Sequence, residues 1–156
     1  IVNAGRGAVI SNKALLEFLK TNKSIKVALD VWENEPDIDL ELLDLVDIGT
    51  PHIAGNTVEG KLRGTQMLHQ AFKIWCGFDE HITPINRKKR DFDGSNFLSA
   101  NDLSKVCLNG YDIRVDNDLL KETFKSKENR MKRGEIFDLL RKNYRKRSEY
   151  LHTYIM

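Results

Sequence analysis

The feature that most constrains this chain is an event that happens three times: a short apolar run breaks off into a turn carrying an ionisable or glycine-rich group. Ile1-Val2-Asn3-Ala4 ends in Gly5-Arg6-Gly7, the apolar residues 25–32 run into Glu33-Asn34-Glu35-Pro36, and Val46-Asp47-Ile48-Gly49 ends in Thr50-Pro51-His52. Short apolar runs bounded by turn residues read as strands, and a nearly continuous run such as 25–32 reads as a strand covered on both faces. Between the first two, Ser11 or Asn12 can cap a helix whose apolar stripe is Ala14, Leu15, Phe18 and Leu19, ended by Thr21-Asn22. A second short helical turn fits residues 40–45. Strand, helix, strand, turn, strand is the order of an open parallel α/β sheet.

Such sheets bind ligands outside the carboxyl ends of their strands. Arg6, Glu35 and His52 all fall at that rim. Each alone has a bland reading: a surface cation, a turn residue, a satisfied loop histidine. Convergence of all three on one edge favours a site. A guanidinium grips a carboxylate bidentately, a histidine exchanges protons near neutral pH, and a carboxylate beside it fixes its tautomer and favours the imidazolium. That set suits oxidation of a small hydroxy acid or reduction of a keto acid. The hydride must then go to a cofactor, for which a nicotinamide is the usual acceptor.

Composition bounds the classes. No apolar run approaches the roughly 20 residues that a membrane-spanning helix needs. Two cysteines, Cys76 and Cys107, form neither a disulfide framework nor a metal-binding spacing, so no metal is expected and a cytoplasmic setting fits. Residues 1–81 carry 8 Lys/Arg against 12 Asp/Glu, whereas residues 82–156 carry 17 against 11. The asymmetry predicts two units with a connection near 78–96. The basic runs at 87–90 and 141–147 invite a nucleic-acid reading, but acidic residues are interspersed between them and no recognition motif is present, so no nucleic-acid partner is expected. The chain opens without Met on a strand already under way and stops within an alternating stretch. It reads as a piece of a longer protein.

Beyond the third strand, Thr57 is a natural helix cap, and Val58, Leu62, Thr65, Leu68, Phe72 and Trp75 recur at helical spacing up to Gly77, a stripe that by itself reads as core packing. Lys61 and Arg63 read as solvated charges and His69 as structural. Further on, Ser99-Ala100-Asn101-Asp102 resembles a capping box, with Leu103, Val106, Cys107 and Tyr111 on one face. Asp116 is placed as the cap of a helix through Phe124, Gly134 to Tyr144 as a helix with Ile136, Phe137, Leu140 and Tyr144 inward, and residues 149–155 as a strand.

The segments Ile1 to Ile10, Ala28-Leu29-Asp30-Val31-Trp32-Glu33-Asn34-Glu35-Pro36 and Thr50-Pro51-His52-Ile53-Ala54-Gly55 strongly resemble the D-isomer-specific 2-hydroxyacid dehydrogenases in order, spacing and the Arg–Glu–His set. The resemblance implies that Arg6 binds the substrate carboxylate, that Glu35 supports the histidine, and that His52 is the proton donor and acceptor. It implies that Asp30 contacts the nicotinamide end of NAD, with the backbone around Ala4, Gly5, Arg6 and Gly55 beside the cofactor. Asn56 stands where several family members carry a substrate-contacting tyrosine; its amide can hydrogen-bond a hydroxyl or phosphate.

The tail, with Tyr111-Asp112-Ile113-Arg114 and residues 137–144, resembles a C-terminal dimerisation domain found in one branch of the family, whose substrate is a phosphorylated hydroxy acid. The expected fold is therefore α/β: residues 1–56 as the C-terminal half of a Rossmann-type NAD-binding domain, 57–80 as a crossover helix returning to a substrate domain, and 81–156 as a small α+β homodimerisation domain. The Gly-x-Gly-x-x-Gly phosphate loop is absent, so the chain alone is expected to bind NAD poorly and to be inactive. Another 2-hydroxyacid dehydrogenase, or an NAD-sensing protein without turnover, are the alternatives.

Overall fold

Three short parallel strands carry the rim. A computed structural model describes residues 1–78, 104–105, 108, 110–126 and 132–149. In it β1 (Val2–Asn3), β2 (Ala28–Leu29) and β3 (Ile48–Gly49) form one sheet in the order β1-β2-β3. Val2 aligns with Ala28 and Asn3 with Leu29, then Ala28 with Ile48 and Leu29 with Gly49. The ladder continues through Asp30 N–H to Asn3 O (2.9 Å) and Thr50 N–H to Leu29 O (3.0 Å). The middle strand is shorter than the eight-residue run in the sequence. Val27, Leu29, Val31 and Trp32 are buried as a doubly covered strand requires, while Ile25 is exposed. Before the strands, Lys26 and the Val27 N–H bind the Asp47 carboxylate and hold it below the usual carboxylate range.

After a 3-10 turn at Gly7–Val9 comes α1 (Asn12–Thr21), capped by Ser11, whose hydroxyl accepts from Ala14 N–H. Its inward face is Asn12, Leu15, Leu16 and Leu19, an i, i+3, i+4, i+7 set. Ala14 and Phe18, placed in the stripe by sequence, are exposed. The pattern alone did not fix the phase, because apolar residues sit at 14, 15, 16, 18 and 19 and any of three neighbouring faces would collect several of them. Asp39 caps α2 (Leu40–Leu45) by accepting from the Glu41 and Leu42 amides.

Packing gathers residues Ile1–Ala54 and Asp112–Arg145 into one compact unit, and Gly55–Tyr111 with Lys146–Met156 into another. In the first, α4 (Ile113–Lys125) and α5 (Arg133–Lys142) add Leu120 and Phe137 to a core built from Leu15, Leu29, Trp32 and Leu42. Helix α4 also closes the open edge of β3. The Asn117 carboxamide oxygen accepts from Gly49 N–H (2.9 Å), and Lys121 Nζ donates to Val46 O (2.8 Å). A covering helix is one way to blunt a strand edge. The cap of α4 is Asp112, which accepts from Arg114 N–H, not Asp116 as the sequence suggested. Asp116 lies one turn inside, buried, where Tyr144 Oη–H donates to it (3.1 Å) and Arg145 approaches. An aspartate can serve either role, and the preceding Tyr111-Asp112 pair provided the earlier start.

The second unit holds α3 (Val58–Trp75), capped by Thr57, which accepts from Gly60 N–H (3.0 Å), and ended by Gly77 at φ 74°. The tail fastens its first turn: Val58 N–H donates to Arg147 O, and Glu149 N–H donates to the Glu59 carboxylate. Arg147 also stacks over the Tyr111 ring, 4.1 Å from its centroid. The apolar stripe of α3 is not core packing. Leu68, Phe72 and Trp75 are 75%, 57% and 82% exposed, and no residue of the helix is buried. Spacing gives the stripe, but burial needs a second surface, and the described tail reaches only the first turn. Lys61, Arg63 and His69 are exposed as well. The connection from 79, the capping-box segment at 99–102, Leu103, Val106, Cys107 and the strand from 150 onward lie outside the described residues. No helix among the described residues is long and apolar enough to cross a membrane.

Candidate active site

The three strand ends meet through their turns. Asn3, buried at the end of β1, turns the chain locally. Its carboxamide oxygen accepts from Gly5 N–H (3.2 Å) and its NH₂ donates to Arg6 O (3.0 Å). Gly7 then lies flat against the next turn. A Cβ there would sit 2.0 Å from Trp32 O and 2.8 Å from Glu33 N, so only glycine lets the Arg6 turn approach the Glu35 turn this closely. Arg6 itself is exposed, with its guanidinium on Gly5 O (2.8 Å). It makes no ion pair with Glu35 and no hydrogen bond with His52.

Glu35 and His52 are in direct contact. Glu35 Oε2 lies 2.6 Å from His52 Nδ1, with both side chains mostly shielded. The other oxygen, Oε1, accepts from Trp32 N–H (2.8 Å), which fixes the carboxylate from behind. An ionised carboxylate only accepts, so Nδ1 carries the hydrogen and Nε2 is left to exchange a proton.

His52 occupies an unusual backbone state. Its φ of 55° makes it the one non-glycine residue in the left-handed region among those described. That region disfavours side-chain-bearing residues and persists where the surroundings enforce it, often at functional sites. The enforcement comes from Asp30. His52 N–H donates to Asp30 O (2.8 Å), Ile53 N–H to Asp30 Oδ1 (2.8 Å), and Ala54 N–H to Asp30 Oδ2 (2.9 Å). Thr50 donates its hydroxyl to Oδ1 at 2.6 Å and accepts the Trp32 indole N–H at its carbonyl (3.1 Å). Asn3, Gly7, Trp32 and Thr50 thus serve the site. The sequence reading assigned none of them a role, although the Gly-Arg-Gly and Thr-Pro-His strings contain two of the four.

Fit to a nicotinamide cofactor rests on the bare rim. Ala4 and Gly5 are exposed, and a Cβ on Gly5 would meet only Asn3 Oδ1 at 3.6 Å, so backbone is open to approach at the end of β1. In the second unit Gly55, at φ 74°, has open space around it, and Asn56 beside it is half-buried. Among the described residues no cluster of His, Cys, Asp or Glu could hold a metal ion.

Residues 1–54, the strands and turns just described, match the NAD-binding domain of D-isomer-specific 2-hydroxyacid dehydrogenases. A second family, described only as a domain of unknown function, matches residues 85–155. The whole chain is similar to proteins named erythronate-4-phosphate dehydrogenase. It is 43% identical to that of Photorhabdus laumondii over 96% of the chain and 39% of the relative. It is 39% identical to that of Saccharophagus degradans over 99% and 41%, and 37% identical to that of Escherichia coli O127:H6 over 100% and 40%. The chain spans about two fifths of the length of the relatives it matches. Arg6, Asp30, Glu35 and His52 all lie within the matched residues 1–54.

Proposed function

We propose that the protein is an NAD-dependent dehydrogenase that oxidises 4-phospho-D-erythronate to 3-hydroxy-2-oxo-4-phosphobutanoate, a step in making the vitamin B6 cofactor. The observation that carries the chemistry is the 2.6 Å contact of Glu35 with His52 Nδ1 at the rim of a dehydrogenase-type sheet. The substrate follows from the relatives' name.

Arg6 binds the substrate carboxylate through its planar fork, swinging from Gly5 O to do so, and orients the C2 hydroxyl. His52 Nε2 takes the hydroxyl proton as the C2 hydrogen leaves as hydride and the carbonyl forms, and returns a proton in the reverse direction. Glu35 holds the ring in the tautomer that leaves Nε2 basic and offsets the imidazolium charge that follows. NAD supplies the hydride acceptor. Ala4, Gly5, Arg6, Asp30 and Gly55 are the residues that would hold its nicotinamide end, and Asn56 would contact substrate.

Residues 1–56 act as the end of the cofactor domain and α3 as the crossover helix, its exposed Leu68, Phe72 and Trp75 suited to cover by a substrate domain. Residues 81–156 mediate homodimerisation, those at 112–145 from within the strand-bearing unit, and the protein works in the cytoplasm. The test is turnover by the full-length protein of erythronate 4-phosphate against glycerate, lactate and 3-phosphoglycerate. Preference for erythronate 4-phosphate is expected. A preference for an unphosphorylated acid would remove the substrate assignment, and turnover of none would favour an NAD-sensing role.

A further inference from the structure

Asp30 is buried, 7% exposed, at the end of β2, and both carboxylate oxygens are engaged by one short loop. Oδ1 takes the Thr50 hydroxyl and Ile53 N–H, Oδ2 takes Ala54 N–H, and the Asp30 carbonyl takes His52 N–H. These four bonds bracket His52 on both sides, from residue 50 to residue 54. At the centre of the bracket is the left-handed φ of 55°. Nothing in the His52 side chain demands that conformation. A loop free of these bonds would relax toward the extended or helical regions that the residue prefers, carrying the imidazole off Glu35.

We infer that Asp30 is a positioning residue for proton transfer: its carboxylate, with the Thr50 hydroxyl, locks residues 50–54 so that His52 presents Nδ1 to Glu35 and Nε2 to the substrate. This role is separate from any contact of Asp30 with cofactor. A carboxylate has about four acceptor positions, and three are used by the loop, so Oδ2 keeps one for a further donor. The inference rests on the reading of His52 as the proton-exchanging group.

Chemistry predicts what the nearest substitution does. Asn at position 30 keeps one acceptor oxygen and turns an NH₂ toward an amide that also donates, so at least one loop bond is replaced by a donor–donor contact. Thr50→Val removes a single bond, keeps side-chain shape and touches no cofactor position.

The experiment is a comparison of Asp30→Asn, Thr50→Val and His52→Ala with wild type in the full-length protein. It records kcat, the Kd for NAD by fluorescence, and the downfield proton resonance of the His52 Nδ1–H. Asp30→Asn should lower kcat by about 10²-fold, the loss expected for a misplaced catalytic group, and shift or abolish the downfield resonance. The Kd for NAD is read in Thr50→Val, which touches no cofactor position, and should change there by less than about threefold, under the central value for one hydrogen bond. Thr50→Val should lower kcat by an intermediate factor and move the same resonance, and it decides the matter if Asp30→Asn does not fold. Wild-type kcat and an unmoved resonance in the folded variants would overturn the inference, as would a loss confined to NAD affinity. Turnover that survives in His52→Ala would instead overturn the proton-transfer reading beneath it.

Discussion

At the residue scale the site is a chain of hydrogen bonds anchored on two carboxylates. Trp32 N–H fixes Glu35, Glu35 fixes the His52 ring, and Asp30 fixes the His52 backbone. Replacing Glu35 by Gln tests the middle link. The amide oxygen will keep the Trp32 N–H bond, which turns the NH₂ toward His52 Nδ1. Nδ1 must then accept, the ring carries its hydrogen on Nε2, and that nitrogen can no longer take the substrate proton. Glu35→Gln is therefore expected to lower kcat for hydroxy-acid oxidation by about 10–100-fold, with KM for NAD little changed, in steady-state assays of the full-length protein. The Glu35–His52 pair was legible in the sequence because the strand-ending turns carry both residues. The loop-holding bonds of Asp30 were not, since three of their four donors are the backbone amides of His52, Ile53 and Ala54, and a main-chain N–H leaves no mark in residue identity.

At the scale of elements, caps were the most readable features. Ser11 and Thr57 cap where expected, and α2 covers the predicted residues, because a capping side chain acts within three residues of itself. Contacts across long sequence separations were hidden. The bond from Gly49 N–H to Asn117 joins residues 68 apart, and it explains how β3 survives as an edge strand only two residues long. Replacing Asn117 by Ala would leave that buried amide unsatisfied, so a loss of about 1–3 kcal/mol is expected, read from the midpoint of urea unfolding. A change within a few tenths would mean that the edge does not depend on this bond. The phase of α1 and the start of α4 were misjudged for a similar reason: more than one local solution was available, and tertiary packing made the choice.

At the scale of the whole molecule, chain order and packing diverge. The charge change near residue 80 suggested that everything beyond it stands apart, yet residues Asp112–Arg145 share a compact unit with the first 54. Phe137 is fully buried with Leu42 and Trp32 in that unit's core. Phe137→Ala is thus expected to destabilise the strand-bearing unit by about 3–5 kcal/mol, seen as a lower Tm in thermal unfolding. A cost near zero would detach α5 from the core that carries the site. The exposed stripe of α3 teaches the complementary lesson: helical spacing identifies an apolar face but not what covers it.

The proposed role of His52, held by Glu35 at the rim of the parallel sheet, is to move the substrate proton. Its most direct test is NADH formation by the full-length protein with erythronate 4-phosphate, wild type against His52→Ala. A fall in kcat of about 10²-fold or more is predicted for the loss of a general base, and retention of wild-type turnover would contradict it.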